Sequence, residues 1–373
     1  MISRIELLKK VDAVAGRLVA CLLPAASKSR PVADPRNLLV VRPGGIGDAA
    51  LLVPALTAIK ERYPAAFITV LAERRNAVVF DLCPAVNSLL LYDKPGDLLS
   101  VLRNRYDVVI DTEQWHRLSA VVSRLVKSSV RIGYSTNERV RLFTHPVPYS
   151  HDNYEALSFF HLIEPLGIIA PASIPLPFLT LPDVARKHAE KLLGPRAGKK
   201  YLVIFPGASI PERRWGGDRF AALARRLEAD GWLILVVGGK QDAEDGELIA
   251  GTTGHNLAGQ TSLAVTAAII GGAELLISGD SGLLHLAVGL GVDTVSLFGP
   301  GRQKKWGAQG TGNLIINHHL SCSPCTTFGT TPPCPHQVRC MGEIKVDELF
   351  QATRRLLVEK YREPRNKILD ISR

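Results

Sequence analysis

The sequence predicts an α/β protein of two Rossmann-like, doubly wound domains, and three observations carry that prediction. Short β-rich apolar runs alternate with helical patterns, as parallel strands joined by crossover helices require. The alternation stops in "IIAPASIPLPFLTLPD" (168–183), rich in proline and poor in helical period, and then restarts. At 373 residues the chain also exceeds what one hydrophobic core usually serves.

In the first half, strands are expected at Asn37–Val41, Phe67–Ala72, Ser88–Tyr92 and Tyr106–Asp111, with a helix over Ala49–Arg62 that tolerates Pro54 in its early turns. In the second half, strands are expected at Tyr201–Phe205, Trp232–Val237, Glu274–Ser278 and Thr294–Phe298. Helices are expected at Arg219–Asp230, at Thr261–Gly271 and from Leu283 onward. Val346–Tyr361 reads as a closing helix. The resulting division is an amphipathic helix and linker over 1–35, domains over 36–180 and 181–345, and a closing helix and tail over 346–373.

Hydrophobic residues make up 46% of the chain, which is the composition of a folded protein. A formal charge of +10 favours an anionic partner such as a nucleotide, a phosphorylated sugar lipid or a membrane surface. Aromatics are only 6% and no basic stretch interleaves with them, so no nucleic acid partner is expected. No apolar run approaches the roughly 20 residues of a membrane span. Near the amino terminus Ile5, Leu8, Val11, Ala15, Leu18 and Leu22 recur at helical spacing, with Arg4, Lys9, Lys10 and Arg17 on the remaining arc. That pattern fits a helix lying on an anionic membrane surface and equally a helix packed on its own domain. "LVAC", ending at Cys21, imitates an export site, but Asp12 and Arg17 interrupt what would be the apolar region.

Four of the six cysteines, Cys322, Cys325, Cys334 and Cys340, cluster in "CSPCTTFGTTPPCPHQVRC". The C-x-x-C start allows a structural zinc site, while the irregular second pair and the prolines favour reduced thiols or a local disulfide.

"RPGGIGDAALLVPAL", from Arg42, follows the first strand. Gly45, Gly47 and Ala50 satisfy the G-x-G-x-x-A dinucleotide fingerprint, with Glu73 where a ribose-binding acid belongs, so an NAD(P)-dependent oxidoreductase is one reading. Asp48 argues against it, because a carboxylate directly after the last glycine repels a pyrophosphate. At the carboxyl edge of a parallel sheet, Asp48 is suited to accept a proton from a hydroxyl nucleophile; it is equally suited to cap a helix.

In the second half, Arg213 and Arg214 beside Trp215 suit a diphosphate, and equally a solvated surface pair. Gly238 and Gly239 end a strand shortly before Asp242, an arrangement for ribose hydroxyls or an ordinary turn. In "LLISGDSGLLHLAVGLG", strand, turn and helix follow in order. Asp280 lies in the turn, the amides of Ser281, Gly282 and Leu283 make an anion site at the helix start, and His285 adds a donor. No D-x-D triplet occurs, so no metal-bridged diphosphate is expected.

Taken together, "RPGGIGDAALLVPAL", "FPGAS" with "RRW", "NLAGQTSL", "GDSGLLHLA" with "LFGP" and the cysteine loop resemble glycosyltransferase family 9, the heptosyltransferases of lipopolysaccharide core assembly. The resemblance runs from about Asn37 to Val346. It implies a GT-B architecture, with two Rossmann-like domains facing across a cleft, and an inverting transfer from a nucleotide-sugar donor, without a cofactor. Asp48 matches the family's general base. Asp280, Ser281, Gly282, Leu283 and His285 match the donor-phosphate turn, and Gly238, Gly239 and Asp242 the nucleoside segment. Many members carry lysine where Arg213 stands, which keeps the charge but changes its geometry. The implied acceptor is an anionic glycolipid, for which Gly45, Trp115, His116, Arg117, Arg139 and Arg141 are candidate contacts. The implied location is cytoplasmic, with peripheral contact at the inner face of the inner membrane. A non-catalytic binding protein of the same fold is the remaining alternative.

Overall fold

A computed structural model describes residues 11–30 and 32–362. The chain divides into two compact units, Met1–Pro182 and Asp183–Arg373. Each contains one six-stranded sheet, and every strand pairing in both is parallel.

In the first unit the strands are β1 (Asn37–Arg42), β2 (Phe67–Ala72), β3 (Ser88–Leu91), β4 (Val108–Asp111), β5 (Val130–Tyr134) and β6 (His145–Val147), in the order β3-β2-β1-β4-β5-β6. In the second they are β7 (Tyr201–Phe205), β8 (Leu233–Val236), β9 (His255–Asn256), β10 (Leu275–Gly279), β11 (Thr294–Leu297) and β12 (Asn313–Ile316), in the order β12-β11-β10-β7-β8-β9. Counted from its own first strand, each sheet has the order 3-2-1-4-5-6. That is the doubly wound Rossmann order, which reverses direction between the first and fourth strands and opens a ligand crevice at their carboxyl ends. These switch points are β1/β4 and β7/β10.

The central strands are buried on both faces, as parallel sheets covered by helices must be. Leu38, Leu39, Val40 and Val41 of β1 and Leu202, Val203 and Ile204 of β7 have essentially no exposed surface. The helix Ile46–Arg62 runs through Pro54 without interruption. The closing helix Val346–Arg362 belongs to the second unit, burying Leu349, Phe350, Leu356 and Leu357 in its core and placing Lys360 3.0 Å from Glu274. Among the described residues, no helix is long and apolar enough to cross a membrane.

Four strands lie outside the expected set: β5, β6, β9 and β12. In β5 the sequence Val-Arg-Ile-Gly-Tyr breaks the apolar run, yet all five residues are buried. Arg131 satisfies its guanidinium on the carbonyls of Ser123 and Val126, and the Phe143 ring fills the space where Gly133 lacks a side chain. The amino-terminal helix turns its apolar row outward, as only the first of its two expected readings requires. Its inward face is Asp12, Gly16 and Ala20, while Val11, Ala15, Leu18 and Leu22 point to solvent; Ile5 and Leu8 lie outside the described residues.

Candidate active site

The first unit gathers its ionisable residues at the carboxyl edge of its sheet. Gly44 turns the chain after β1 with a φ of +109°, and a Cβ there would lie 2.9 Å from the Arg42 guanidinium. Glycine is the residue that meets both demands. Gly45 then occupies the N-cap of the helix Ile46–Arg62, which puts Asp48 in the first turn rather than at the cap. The cap alternative for Asp48 is withdrawn on that geometry.

Asp48 keeps 22% of its side chain exposed, and its Oδ2 stands 3.4 Å from Nη2 of Arg42. Arg42 is buried. It donates to the carbonyls of Pro43 and Thr112, and the same Nη2 lies 3.5 Å from Oε2 of Glu113. Burial works against its charge, but Asp48, Glu113, Glu155 and Asp111 more than offset that and raise its pKa. Burial likewise pushes Glu113 upward, and Arg42, His116 and Arg139 outweigh it to hold the carboxyl below its ordinary range. Asp111 is raised, because its burial exceeds what Arg139 returns. Glu155, fully buried, accepts hydrogen bonds from Gln114 Nε2 and the Tyr149 hydroxyl. The sequence reading gave no role to Arg42, although it opens the glycine motif, nor to Glu113 and Glu155, which burial rather than a motif binds to the carboxyl edge.

The expected acceptor contacts separate on inspection. Trp115, His116 and Arg117 lie where β4 leads into the helix Arg117–Leu125, with the Arg117 guanidinium 5.7 Å from the Trp115 ring centroid. Arg117 pairs with Glu138 at 2.8 Å, and His116 Nδ1 lies 3.5 Å from Asp12. Arg139 is a correction. It has no exposed surface and sits 2.9 Å from Asp111 with a further bond to the Glu113 carbonyl, so it braces the loop from a buried position rather than facing solvent. Arg141 is exposed and donates to the carbonyl of Cys21 on the amino-terminal helix.

In the second unit, β7, β8 and β10 deliver the expected residues to one sheet edge. Ser281 is the N-cap of the helix Gly282–Gly289, its Oγ accepting from the amide of Leu284. Arg213 Nη1 lies 2.9 Å from Asp280 Oδ2. Burial raises the Asp280 pKa, with Arg213 acting against it. His285 is buried and its pKa falls to about 4, first through burial and then through the Arg213 charge, so the ring is neutral at pH 7. Among the described residues, the buried Arg213 Nε and His285 Nδ1 have no hydrogen-bond partner.

Asp242 is a second correction. It is fully buried, accepting from the Gly239 amide and Gln241 Nε2, with Arg214 3.6 Å away. A Cβ on Gly207 or Gly238 would meet its carboxylate at 2.5 or 2.9 Å. Asp242 therefore ties together the turns after β7 and β8 and has no oxygen exposed to a ribose; Gly238 and Gly239 stay partly exposed. Gly301, after β11, packs equally closely on Asp280 and extends the site to a loop the sequence reading left unassigned.

Cys322, Cys325, Cys334 and Cys340 line one pocket as free thiols. Among the described residues no three His, Cys, Asp or Glu side chains group so as to hold a metal ion.

A model of glycosyltransferase family 9 (heptosyltransferase) matches residues 98–334, more than half of the chain and spanning parts of both units. The chain belongs to glycosyltransferase family 9. Lipopolysaccharide heptosyltransferase 3 of Escherichia coli is 28% identical over 279 residues, covering 68% of this chain and 80% of that protein. The solved structure of E. coli ADP-heptose lipopolysaccharide heptosyltransferase II matches with a TM-score of 0.71 at 20% identity, over 87% of this chain and 99% of its own. A glycosyltransferase family 9 protein from Veillonella parvula gives a TM-score of 0.73 at 20% identity, over 87% and 98%. These structures share the fold, two Rossmann-like units of the GT-B type.

As a family 9 member the protein is a glycosyltransferase, and that displaces both the oxidoreductase and the non-catalytic alternatives. Glu73, the acid of the oxidoreductase reading, caps its own helix Arg74–Ala77 and pairs with Arg75 at 2.6 Å.

Proposed function

We propose that this family 9 glycosyltransferase moves a heptose from ADP-heptose onto the core of lipopolysaccharide or a related anionic glycolipid, with inversion at the anomeric carbon. The observation that carries the donor half is that the buried nitrogens Arg213 Nε and His285 Nδ1, without partners among the described residues, lie with the start of the helix Gly282–Gly289 at one sheet edge. Such a helix start is a ready anion site, and a neutral imidazole protonated at Nδ1 adds a donor without a second full charge. The second unit is accordingly the donor-binding unit. Arg213, Arg214 and the Ser281–Leu283 amides stabilise the departing diphosphate, where negative charge develops.

The first unit is assigned the acceptor. Asp48, partly exposed and held in place by Arg42, takes the proton of the attacking hydroxyl. Gly45, Trp115, His116, Arg117 and the exposed Arg141 are the remaining acceptor candidates. A lipid-linked acceptor puts the reaction at a membrane surface, so peripheral contact with the inner face of the bacterial inner membrane goes with this reading.

Two measurements test it. Asp48→Asn is expected to lower turnover by about 10²–10⁴ while ADP affinity stays normal, and undiminished turnover would refute the base assignment. In thermal unfolding, ADP at about 100 times its Kd stabilises by roughly 2.7 kcal/mol. A shift with UDP or GDP instead of ADP would change the sugar nucleotide.

A further inference from the structure

The segment before β1 is fastened to the first unit by polar atoms and small side chains. A wide π-helical turn, Asp12–Gly16, continues as the α-helix Arg17–Leu22. The buried Asp12 carboxylate accepts from the amides of Arg117 (2.7 Å) and Leu118 (2.8 Å), capping the helix Arg117–Leu125. Gly16 packs on Arg117, where a Cβ would come within 3.3 Å of that residue's own. Further along, Arg141 donates to the Cys21 carbonyl, Arg124 to that of Pro24, and the Ala26 amide to the Arg141 carbonyl.

The large apolar side chains face the other way. Val14 is 65% exposed, Leu18 60% and Leu22 83%, with Val11 continuing the row at the helix start. A helix held only for its domain's stability would bury those side chains and expose Asp12 and Gly16, because burial of large apolar groups is the stabilising term. Here the order is reversed.

Charge selects the occupant. Among residues 11–30 the one acid, Asp12, is buried, whereas Arg17, Lys28 and Arg30 are exposed. Arg124 and Arg141 flank the helix through the bonds above, and the acid beside it, Glu138, is already paired with Arg17 and Arg117. Arg17 shares Glu138, and Lys28, Arg30, Arg124 and Arg141 leave the border of the apolar row with an excess of positive charge, the surface that lies in the boundary of an anionic bilayer.

We propose that the outward face of the helix Asp12–Leu22, carrying Val14, Leu18 and Leu22, docks the first unit on an anionic phospholipid surface. This deepens, and rests on, the reading of a membrane-held glycolipid acceptor. The capped and clamped inner face keeps the helix attached to the acceptor unit, so docking brings that unit to the lipid.

The test is flotation of the full-length protein with phosphatidylcholine vesicles and with vesicles containing about one-third phosphatidylglycerol. The protein is expected to float with the anionic vesicles and not the neutral ones. The Leu18→Glu/Leu22→Glu variant is expected to lose about tenfold or more of that binding. Both positions are exposed, so the thermal unfolding temperature and turnover on a delipidated, soluble acceptor stay unchanged, while turnover on vesicle-embedded acceptor falls. Equal binding by the variant, or equal binding of the wild type to neutral vesicles, overturns the proposal. So does a wild-type dimer that the variant converts to monomer without any vesicle binding, which would make a second copy the occupant. Vesicle binding without turnover on either acceptor upholds the surface and removes the functional reading instead.

Discussion

The two units share one strand order and put opposite chemistry at the same place in it. At the β1/β4 switch point the chain clusters the carboxylates Asp48, Asp111, Glu113 and Glu155 around the buried guanidiniums of Arg42 and Arg139. At β7/β10 it presents the start of the helix Gly282–Gly289, a neutral histidine and Arg213, whose Nε has no partner among the described residues. A doubly wound sheet fixes where a ligand is met, and side chains decide whether protons or anions are handled there. Under the proposed function the first edge holds the base and the second receives the phosphate.

The sharpest way to break this contrast is to remove the cation from the acidic side. Arg42→Met leaves Asp48 and Glu113 without their shared partner in a buried setting, where loss of one member of an ion pair costs about 3–5 kcal/mol. Chemical denaturation measures that loss directly. Acid unfolding is expected to begin at higher pH in the variant: Glu113, held low in the folded state, contributes stability that disappears as pH falls through its folded pKa, and removing Arg42 raises that pKa. A loss below about 1 kcal/mol would mean the carboxylates do not depend on Arg42.

A matching experiment probes the phosphate side. The folded pKa of His285 is about 4 against an ordinary 6.5, so the unfolded chain binds its proton first. The neutral-imidazole contribution is therefore complete above about pH 6.5 and is lost as pH falls toward 4, to a limit of about 3 kcal/mol. Asp280 acts in the opposite sense, since its raised folded pKa favours the fold on acidification. The comparison is therefore wild type against His285→Gln from pH 7 to pH 4. The stability difference between them is expected to narrow with acidification, and a constant difference would mean His285 is not held neutral.

The contrast was legible in the sequence on one side more than the other. The glycine turn, the Ser281 cap and the second unit's arginines are local signals, because a strand, a turn and a helix start adjoin in the chain. The acidic cluster is assembled from the ends of β1 and β4 and the start of the helix Glu155–Ile163, separated by tens of residues, so no local pattern announces it. The fold was read from continuous apolar runs and lost where they break. In β5 a guanidinium satisfied by carbonyls and a glycine filled by Phe143 hide a central strand. The amino-terminal helix shows a different limit. Its apolar row was plain, but the face that packs is the inconspicuous one, since Asp12 is stabilised by two amides 105 and 106 residues away.

The smallest effect separates phosphate binding from ordinary capping within the second unit. Two helices there start with serine caps: Ser281 before Gly282–Gly289 and Ser262 before Leu263–Gly271, each accepting from the amide three residues on. Replacing either with alanine costs about 1 kcal/mol of stability by loss of the cap, with the exposed Ser262 at the lower end. Ser281 differs in position, since its helix begins beside Arg213 and His285, and in its second bond to the Ser278 hydroxyl at 2.8 Å. Ser281→Ala is therefore expected to weaken ADP binding about threefold to tenfold, as the first helical turn loosens at the proposed diphosphate site. Ser262→Ala is expected to leave ADP binding unchanged. Calorimetric titration of both variants decides the matter, because equal losses of affinity would mean that capping supports the unit as a whole and that the Ser281 helix start has no special claim on the phosphate.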